Sequence, residues 1–458
     1  MNPAKWLSRP VSEEFSGADW GDPRRNRRLC GIADTLSEDA SASFPKLFSS
    51  SAELEGFYRF LRNDAVERAD VLTPHRQATY RRAEQLGECL VLHDTTQFVF
   101  QGQREGLGFT CTERQGFLAH FSLMVANDEA RTPLGVAALK QYVRTQRKGK
   151  MSSRERAKDP ASESNRWLEG VRTVRESCNA SCIHVADREG DNLKLLTELL
   201  ELGRFVVRVS YDRRVLDEDD EAVRLHQVLL ETKARTRRSM TLSARGRGLN
   251  PKMNRRYPAR SGRRATVCVG ATSVCLTSTE CFRGQDIEVN LVRVWEPRPP
   301  KGQPPVEWIL WTTEPVDTAE QMNRVVDIYR ARWLIEEYFK ALKTGCQFER
   351  RQLESFDTLS TALTLFAPVA WKLLLARTVS RFAPERPASD VLTPLQITYL
   401  ERKYNQPVHN ARQALLAVAK LGGHIKQNGE PGWLVLGRGY EELLVGEAFY
   451  QVLTQSER

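Results

Sequence analysis

The stretch YRARWLIEEYFKALK, Tyr329–Lys343, decides how this chain is read. Tyr329, Arg332, Glu336 and Lys343 follow one another at steps of three, four and seven. On a helix turning about 100° per residue, these steps keep all four side chains in one narrow stripe. Ile328, Ile335, Tyr338, Phe339 and Leu342 lie off the stripe and supply an apolar side. The pattern predicts a helix with one buried face and one polar face bearing an acid, two cations and a phenol. A solvated helix face also mixes signs; the phenol and the spacing favour a site. Asp317 with Glu320 predicts a capping box, and Gly345 a C-terminal stop. Together they bound a single helix of about 27 residues, roughly 40 Å long.

The rest of the chain frames this helix. Its 458 residues give room for roughly two to four domains and a sizeable core. A net charge of +10 favours an anionic partner, nucleic acid ahead of a membrane. No apolar run approaches the roughly 20 residues of a bilayer span. Met1–Pro10 has no apolar signal-peptide segment, so a cytoplasmic location is expected. The nine Cys and seven His are scattered. Cys178 and Cys182 are spaced as on one helical turn, and no second pair completes a zinc site. The cysteines read as reduced thiols.

From the N-terminus, residues 19–87 read as helices. Asp22-Pro23 starts the first, with Arg24, Arg25, Arg27 and Arg28 in its opening turns and Leu29, Ile32 and Leu36 as its apolar face. Ala52–Leu61 is the second, and Thr73-Pro74 opens a third carrying Arg76, Arg81 and Arg82. Such a basic helical segment is either a nucleic-acid reader or a solvated surface. At Cys89 the period changes to two. CLVLHDTTQFVF reads as a strand with Asp94 in mid-run, followed by strands at Phe117–Val125 and Gly135–Val143. Residues 145–165 read as a polar loop, Trp167–Arg175 as a helix, and Cys182–Ala186 as a strand that delivers Asp187 at its end. A helix at Leu193–Leu202 and a strand at Arg204–Val209 follow.

Residues 212–305 read as an inserted β domain with a basic arm. The window 232–264 holds twelve Lys or Arg and no acid, a charge that exceeds that of the whole chain. Composition alone leaves Arg245–Arg264 open to disorder. Trp308–Thr313 is a further strand. Apolar and amphipathic helices at Thr361–Arg377, Arg412–Leu421 and Glu441–Leu453 close the chain, where Tyr440, Leu443, Leu444, Ala448 and Tyr450 offer apolar surface for internal packing or a dimer.

Three acids stand on separate elements: Asp94 within an apolar strand, Asp187 at a strand end and Glu336 on the long helix. An acid inside a buried strand is costly unless paired or ligating. Acids at strand ends also cap helices, and Asp191 reads as such a cap. Three oxygen ligands without His or Cys suit Mg2+, with Mn2+ as a substitute. Paired ions of this kind serve phosphodiester chemistry.

Taken together, Tyr-x2-Arg-x3-Glu-x6-Lys at 329–343, GDPRRNRRL at 21–29, EGFYRFLRN at 55–63, HDTT at 93–96, ADREGD at 186–191, RFVVR at 204–208, PPKGQPPVEWILWTTEP at 299–315, KTGCQFERRQLE at 343–354 and LGG at 421–423 resemble, in order, the insertion-sequence-four family of DDE transposases. The resemblance implies an α/β fold: an RNase H-like mixed-sheet catalytic core over 71–365, with the inserted β domain at about 212–305. An N-terminal helical DNA-end-binding domain over 1–70 and a C-terminal helical dimerisation domain over 366–458 flank it. It implies that Asp94, Asp187 and Glu336 are catalytic and hold metal. Tyr329, Arg332 and Lys343 would contact DNA near the scissile end, and Trp308 would stack on a base turned out of the duplex. Arg208, Lys340, Arg28, Tyr58 and Arg59 match further DNA-contacting positions. The implied activity is cut-and-paste transposition on double-stranded DNA, using transposon ends and a target, by a homodimer in a synaptic complex. A DNA-binding regulator without this activity and a stand-alone metal-dependent nuclease are the alternatives. Gln352 stands where the family pattern expects Arg, and 232–264 has no clear counterpart.

Overall fold

The computed structural model describes residues 4–7, 9–111, 114–145, 162–217, 219–244, 246, 258–276, 287–425, 427 and 429–456. Along the chain run helices α1 (Pro23–Glu38), α2 (Ser51–Leu61) and α3 (Thr73–Glu84), then strands β1 (Glu88–Val99), β2 (Gly108–Phe109), β3 (Gln115–Ala126) and β4 (Pro133–Tyr142). Next come α4 (Asn165–Ser177), β5 (Ser181–Ala186), α5 (Leu193–Leu202), β6 (Arg204–Arg208), β7 (Arg214–Leu216), β8 (Ala222–Arg224), β9 (Thr236–Leu242), β10 (Arg263–Leu276), β11 (Ile287–Trp295) and β12 (Glu307–Thr312). The chain closes with α6 (Ala319–Ala331), α7 (Trp333–Lys340), α8 (Phe356–Phe382), α9 (Pro394–Tyr404), α10 (Ala411–Leu421) and α11 (Trp433–Ser456). It divides into two compact units. One comprises Met1–Met151, Thr173–Ser181 and Trp333–Arg458; the other comprises Ser152–Arg172 and Cys182–Arg332.

In the first unit, Asp22 caps α1 as expected, its Oδ1 accepting the Arg24 N–H at 2.9 Å, with Pro23 in the first turn. Leu29, Ile32, Ala33 and Leu36 form its buried face. β1 and β3 pair antiparallel along their lengths, Asp94 opposite Phe121, and β4 joins the far side of β3. α3 docks on β4 through the Tyr80 hydroxyl, which donates to the Ala137 carbonyl at 2.6 Å, and Arg82, which donates to the Leu134 carbonyl at 2.8 Å. Arg82 is therefore a buried structural cation, not part of a basic surface; the Glu14 carboxylate and the Trp371 ring enclose it. α8 runs through the core. It is 27 residues long, with a mean hydropathy of 1.6 over its most apolar window, enough by length and composition to cross a membrane; 83% of that window is buried inside the fold. This corrects the expectation that no run is so long and apolar. The C-terminal helices bury Leu443 and half-bury Tyr440, while Leu434, Val445, Phe449 and Val452 face outward.

The second unit holds a mixed sheet in the order β5-β6-β12-β11-β10-β7-β8, with β9 also on β10. Only β5 and β6 run parallel; the other pairs are antiparallel. The strands of 212–305 continue the sheet of β6 and β12 rather than forming one of their own. One core, built from Trp167, Leu196, Phe205, Val215, Leu291 and Trp311 among others, spans both sets. In the acidic turn between β7 and β8, Asp217 Oδ1 accepts the N–H groups of Asp219 and Glu221 at 3.0 and 2.9 Å.

The basic window is partly structural. Arg238 makes a bidentate pair with Asp327 at 2.7 and 3.1 Å, and Arg263 a bidentate pair with Glu296 at 2.5 and 2.7 Å. Its partners were hidden from the sequence because they come from α6 and from the residue just after β11, outside the window. Arg245, Arg247, Lys252, Arg255 and Arg256, and most of the polar stretch 145–165, lie outside the described residues. Cys178 follows α4 and Cys182 lies in β5, so the two do not share a helical turn.

Candidate active site

The long helix is not continuous. α6 is capped by Thr318 with Gln321, one residue on from the expected box, because the Thr318 hydroxyl takes the Gln321 N–H at 3.2 Å. α6 ends at Ala331, where the Arg332 N–H closes a tight turn on the Tyr329 carbonyl at 3.1 Å. α7 begins at Trp333, and the boundary between the units falls at the same place. Beyond α7, Ala341–Gly345 widens into a π turn. A stripe drawn at constant angle therefore does not survive. Tyr329 is 5% exposed and joins the buried side of α6.

Asp94 and Glu336 belong to the first unit. Asp94 lies half-buried in mid-β1, its Oδ1 accepting the Thr95 N–H at 2.7 Å. Alternation along the strand puts His93 and Thr95 on one face and Asp94, Thr96 and Phe98 on the other. The first face is closed by His93 on Ser122 at 3.0 Å and Thr95 on His120 at 2.9 Å. On the second, Phe121, the cross-strand partner of Asp94, meets the rings of Tyr338 and Phe339 at 5.4 and 5.7 Å. Phe98 meets Phe348 at 5.0 Å. α7 is thus laid over the face that carries Asp94, and Glu336 lies two residues before Tyr338. Tyr338 is locked in turn by its hydroxyl, which donates to the Ala367 carbonyl of α8 at 3.1 Å.

Lys343 is tied to β1. Its ammonium donates to the Gln97 carbonyl, lies 5.4 Å from the centre of the Phe98 ring and stands 3.6 Å from Glu349. Burial pushes that ammonium down from its ordinary range against the opposing pull of Glu349. Glu349 also accepts the Val99 N–H at 2.9 Å. Lys340 is exposed, 2.7 Å from Glu337 and over the Trp333 ring.

Asp187, Arg208, Trp308, Tyr329 and Arg332 belong to the second unit. Asp187 directly follows β5 and caps a short turn, its Oδ1 accepting the Glu189 N–H at 2.8 Å. Asp191 is not a helix cap; Asn192 caps α5 instead. Asp191 is 1% exposed and accepts from Ser210 N at 2.5 Å, Tyr211 N at 3.1 Å and Arg213 at 2.5 Å. Trp308 is half-buried on β12, its ring edge-to-face with Tyr329 at 5.4 Å. Arg208 donates to the Glu307 carbonyl at 3.1 Å, while its Nε is buried without a partner among the described residues. Arg332 is half-buried at the turn between the helices.

Arg28, Tyr58 and Arg59 lie on α1 and α2. Arg28 is exposed and donates to the Gly56 carbonyl at 3.2 Å, joining the two helices. A Cβ at Gly56 would stand 2.6 Å from that guanidinium. Burial raises the Tyr58 hydroxyl, and Arg59 is exposed, 3.7 Å from Glu55. Near the departure at Gln352, Arg351 is 3% exposed and donates to the carbonyls of Ala40, Ala42 and Cys346; burial lowers it to about 10. Gln352 itself is exposed. Nothing in the run RRQ distinguishes this buried arginine from its exposed neighbour Arg350.

Among the described residues, no three His, Cys, Asp or Glu side chains are gathered into a ligand cage. The proposed donors are all carboxylate oxygens on half-buried side chains, a set that fits Mg2+ or Mn2+ and not zinc.

Comparison with known proteins completes the picture. Residues 6–66 match the family described as transposase DNA-binding, and residues 157–368 the transposase DDE domain. A solved structure, the piggyBac transposase synaptic complex with hairpin DNA, is similar at 12% identity and a TM-score of 0.38, over 93% of this chain and 76% of that one. The two domains define an enzyme of the DDE class, one that depends on divalent cations and takes DNA as its partner. This chain is a DNA transposase.

Proposed function

We propose that this transposase belongs with the insertion-sequence-four group, resembles the Tn-five transposase, and moves DNA by cut-and-paste. Asp94, Asp187 and Glu336 hold Mg2+, or Mn2+ in its place, in an RNase H-like core. Bound there, the ions would polarise the scissile phosphate and activate the attacking oxygen. Water attacks at the transposon end and frees a 3′-hydroxyl. That hydroxyl attacks the opposite strand to give a hairpin, water reopens it, and the 3′-hydroxyl then joins target DNA. Each step is an in-line displacement at phosphorus, so one set of acids serves them all.

Tyr329, Arg332, Lys340, Lys343 and Arg208 hold the DNA backbone beside the acids, and Trp308 receives a base turned out of the hairpin. The edge-to-face contact of Trp308 on Tyr329 steadies that ring. Arg28, Tyr58 and Arg59, within 1–70, read the transposon end; 71–365 carries catalysis, with 212–305 as its insertion; 366–458 pairs two copies in the synaptic complex. The protein works in the cytoplasm on nucleoid DNA. The observation that carries this reading is the seating of α7 on the Asp94 face of β1 and β3, which puts two of the three acids on one side of one sheet. Labelled end DNA with Mg2+ tests it. A hairpin product that disappears in Glu336→Ala with end binding intact is expected; cutting unchanged in that variant overturns the assignment.

A further inference from the structure

We propose that Glu337, the neighbour of Glu336, is a positioning residue that sets the helix bearing Glu336 against the C-terminal helices. Adjacent helical residues point about 100° apart, so one carboxylate can face the fold while its neighbour faces the site. Glu337 is the inward one. Its side chain is 14% exposed, and Oε2 accepts from Arg377 of α8 and from the Trp433 indole N–H at 2.9 Å. Oε1 accepts from Lys340 at 2.7 Å. The Arg377 guanidinium also lies 4.8 Å over the Trp433 ring. Three donors from three places, two of them cationic, fix a carboxylate more tightly than any single pair does.

The same helix, α11, braces the far end of the segment. Trp433 lies against Gly345, where a Cβ would stand 3.7 Å from the ring, and Gln347 donates to Glu441 at 2.8 Å. The π turn that carries Lys343 is therefore held between two contacts with α11. A single helix from the last quarter of the chain fixes both ends of the segment from Glu337 to Gln347. This role rests on the reading of Glu336 as a metal ligand, and partners that orient ligands typically contribute about 10–100-fold to metal affinity.

The test uses the full-length protein bound to end DNA, with Mg2+ affinity measured by calorimetry beside end-DNA affinity and single-turnover cleavage. In Glu337→Ala, Mg2+ binding is expected to weaken about tenfold while end-DNA affinity stays within about twofold. Trp433→Phe, which keeps the ring and removes the donor, should shift Mg2+ affinity the same way by less and add nothing to Glu337→Ala. If Glu337→Ala fails to fold, Trp433→Phe alone decides. Unchanged Mg2+ affinity in these variants, with Glu336→Ala inactive, overturns the positioning role and leaves the site intact. Full cleavage by Glu336→Ala removes the site itself, and the positioning role with it.

Discussion

Phe121→Leu tests whether the seat beneath α7 governs catalysis. Phe121 is 0% exposed, opposite Asp94, and touches both rings that follow Glu336. Phe121→Ala would cost about 3–5 kcal/mol through the cavity it leaves. That approaches the whole stability of many domains, about 5–15 kcal/mol, and would confound any activity measurement. Leucine keeps most of the volume and loses the two ring contacts, each worth about 0.5–1.5 kcal/mol, so a loss of about 1–3 kcal/mol is expected. A misplacement near 1 Å can cost about 100-fold in rate, so cleavage should fall between about tenfold and 100-fold, a loss that the stability change alone would not cause while the domain stays folded. Urea unfolding measures the first quantity and single-turnover cleavage of labelled end DNA the second. A variant less stable by this amount that cleaves at the wild-type rate would refute the idea that this contact aligns the acids.

Three further outcomes are expected. Tyr338→Phe removes the hydroxyl's bond to the Ala367 carbonyl and should cost about 1 kcal/mol in urea unfolding, with the ring contacts retained. Glu430 is held down to about 2, first by hydrogen bonds from Arg412, so its stabilising contribution is full above its unfolded value of about 4.3 and is lost as pH falls through about 2. Because that carboxylate is 44% exposed, the effect should stay under about 1 kcal/mol, and Glu430→Gln should flatten the change in unfolding free energy between pH 5 and pH 2 by that amount. End-DNA binding measured across salt concentrations should give a log–log slope of about −0.9 per phosphate contacted, and Arg59→Ala should reduce its magnitude by about one contact; an unchanged slope would remove Arg59 from the interface.

Much of this fold was legible in local pattern. Asp22-Pro23, the alternation in CLVLHDTTQFVF and the apolar positions of α7 are short-range signals, and the structure follows each of them. What the sequence hid was set by distant partners. A constant helical angle could not show that the chain tightens at Arg332 and widens at Ala341, because packing against other segments decides both. Tyr329 looked polar by its place in a stripe and is buried because Trp308, far away in sequence, covers it. Arg238 and Arg263 looked like free charge because Asp327 and Glu296 lie outside their window. Asp191 carried the local signature of a cap, yet Arg213 and two backbone N–H groups beyond β6 claim it. In the proposed site, Asp94 and Glu336 are candidates from sequence alone; the aromatic seat between their elements left no sequence signal.

The first unit is assembled from chain segments on either side of residues 182–332, and this has a consequence during synthesis. At about 5–20 residues per second, a ribosome needs roughly eight to thirty seconds to make that intervening stretch. Throughout that interval β1 and β3 have no Tyr338, Phe339 or Phe348 to cover Phe98 and Phe121, and no Phe356 to cover Phe117. The nascent protein therefore spends its wait with an aromatic surface open to chaperones or to aggregation. A chain truncated before Trp333 would carry the N-terminal helices and β1–β4 of that unit without the helices that cover them.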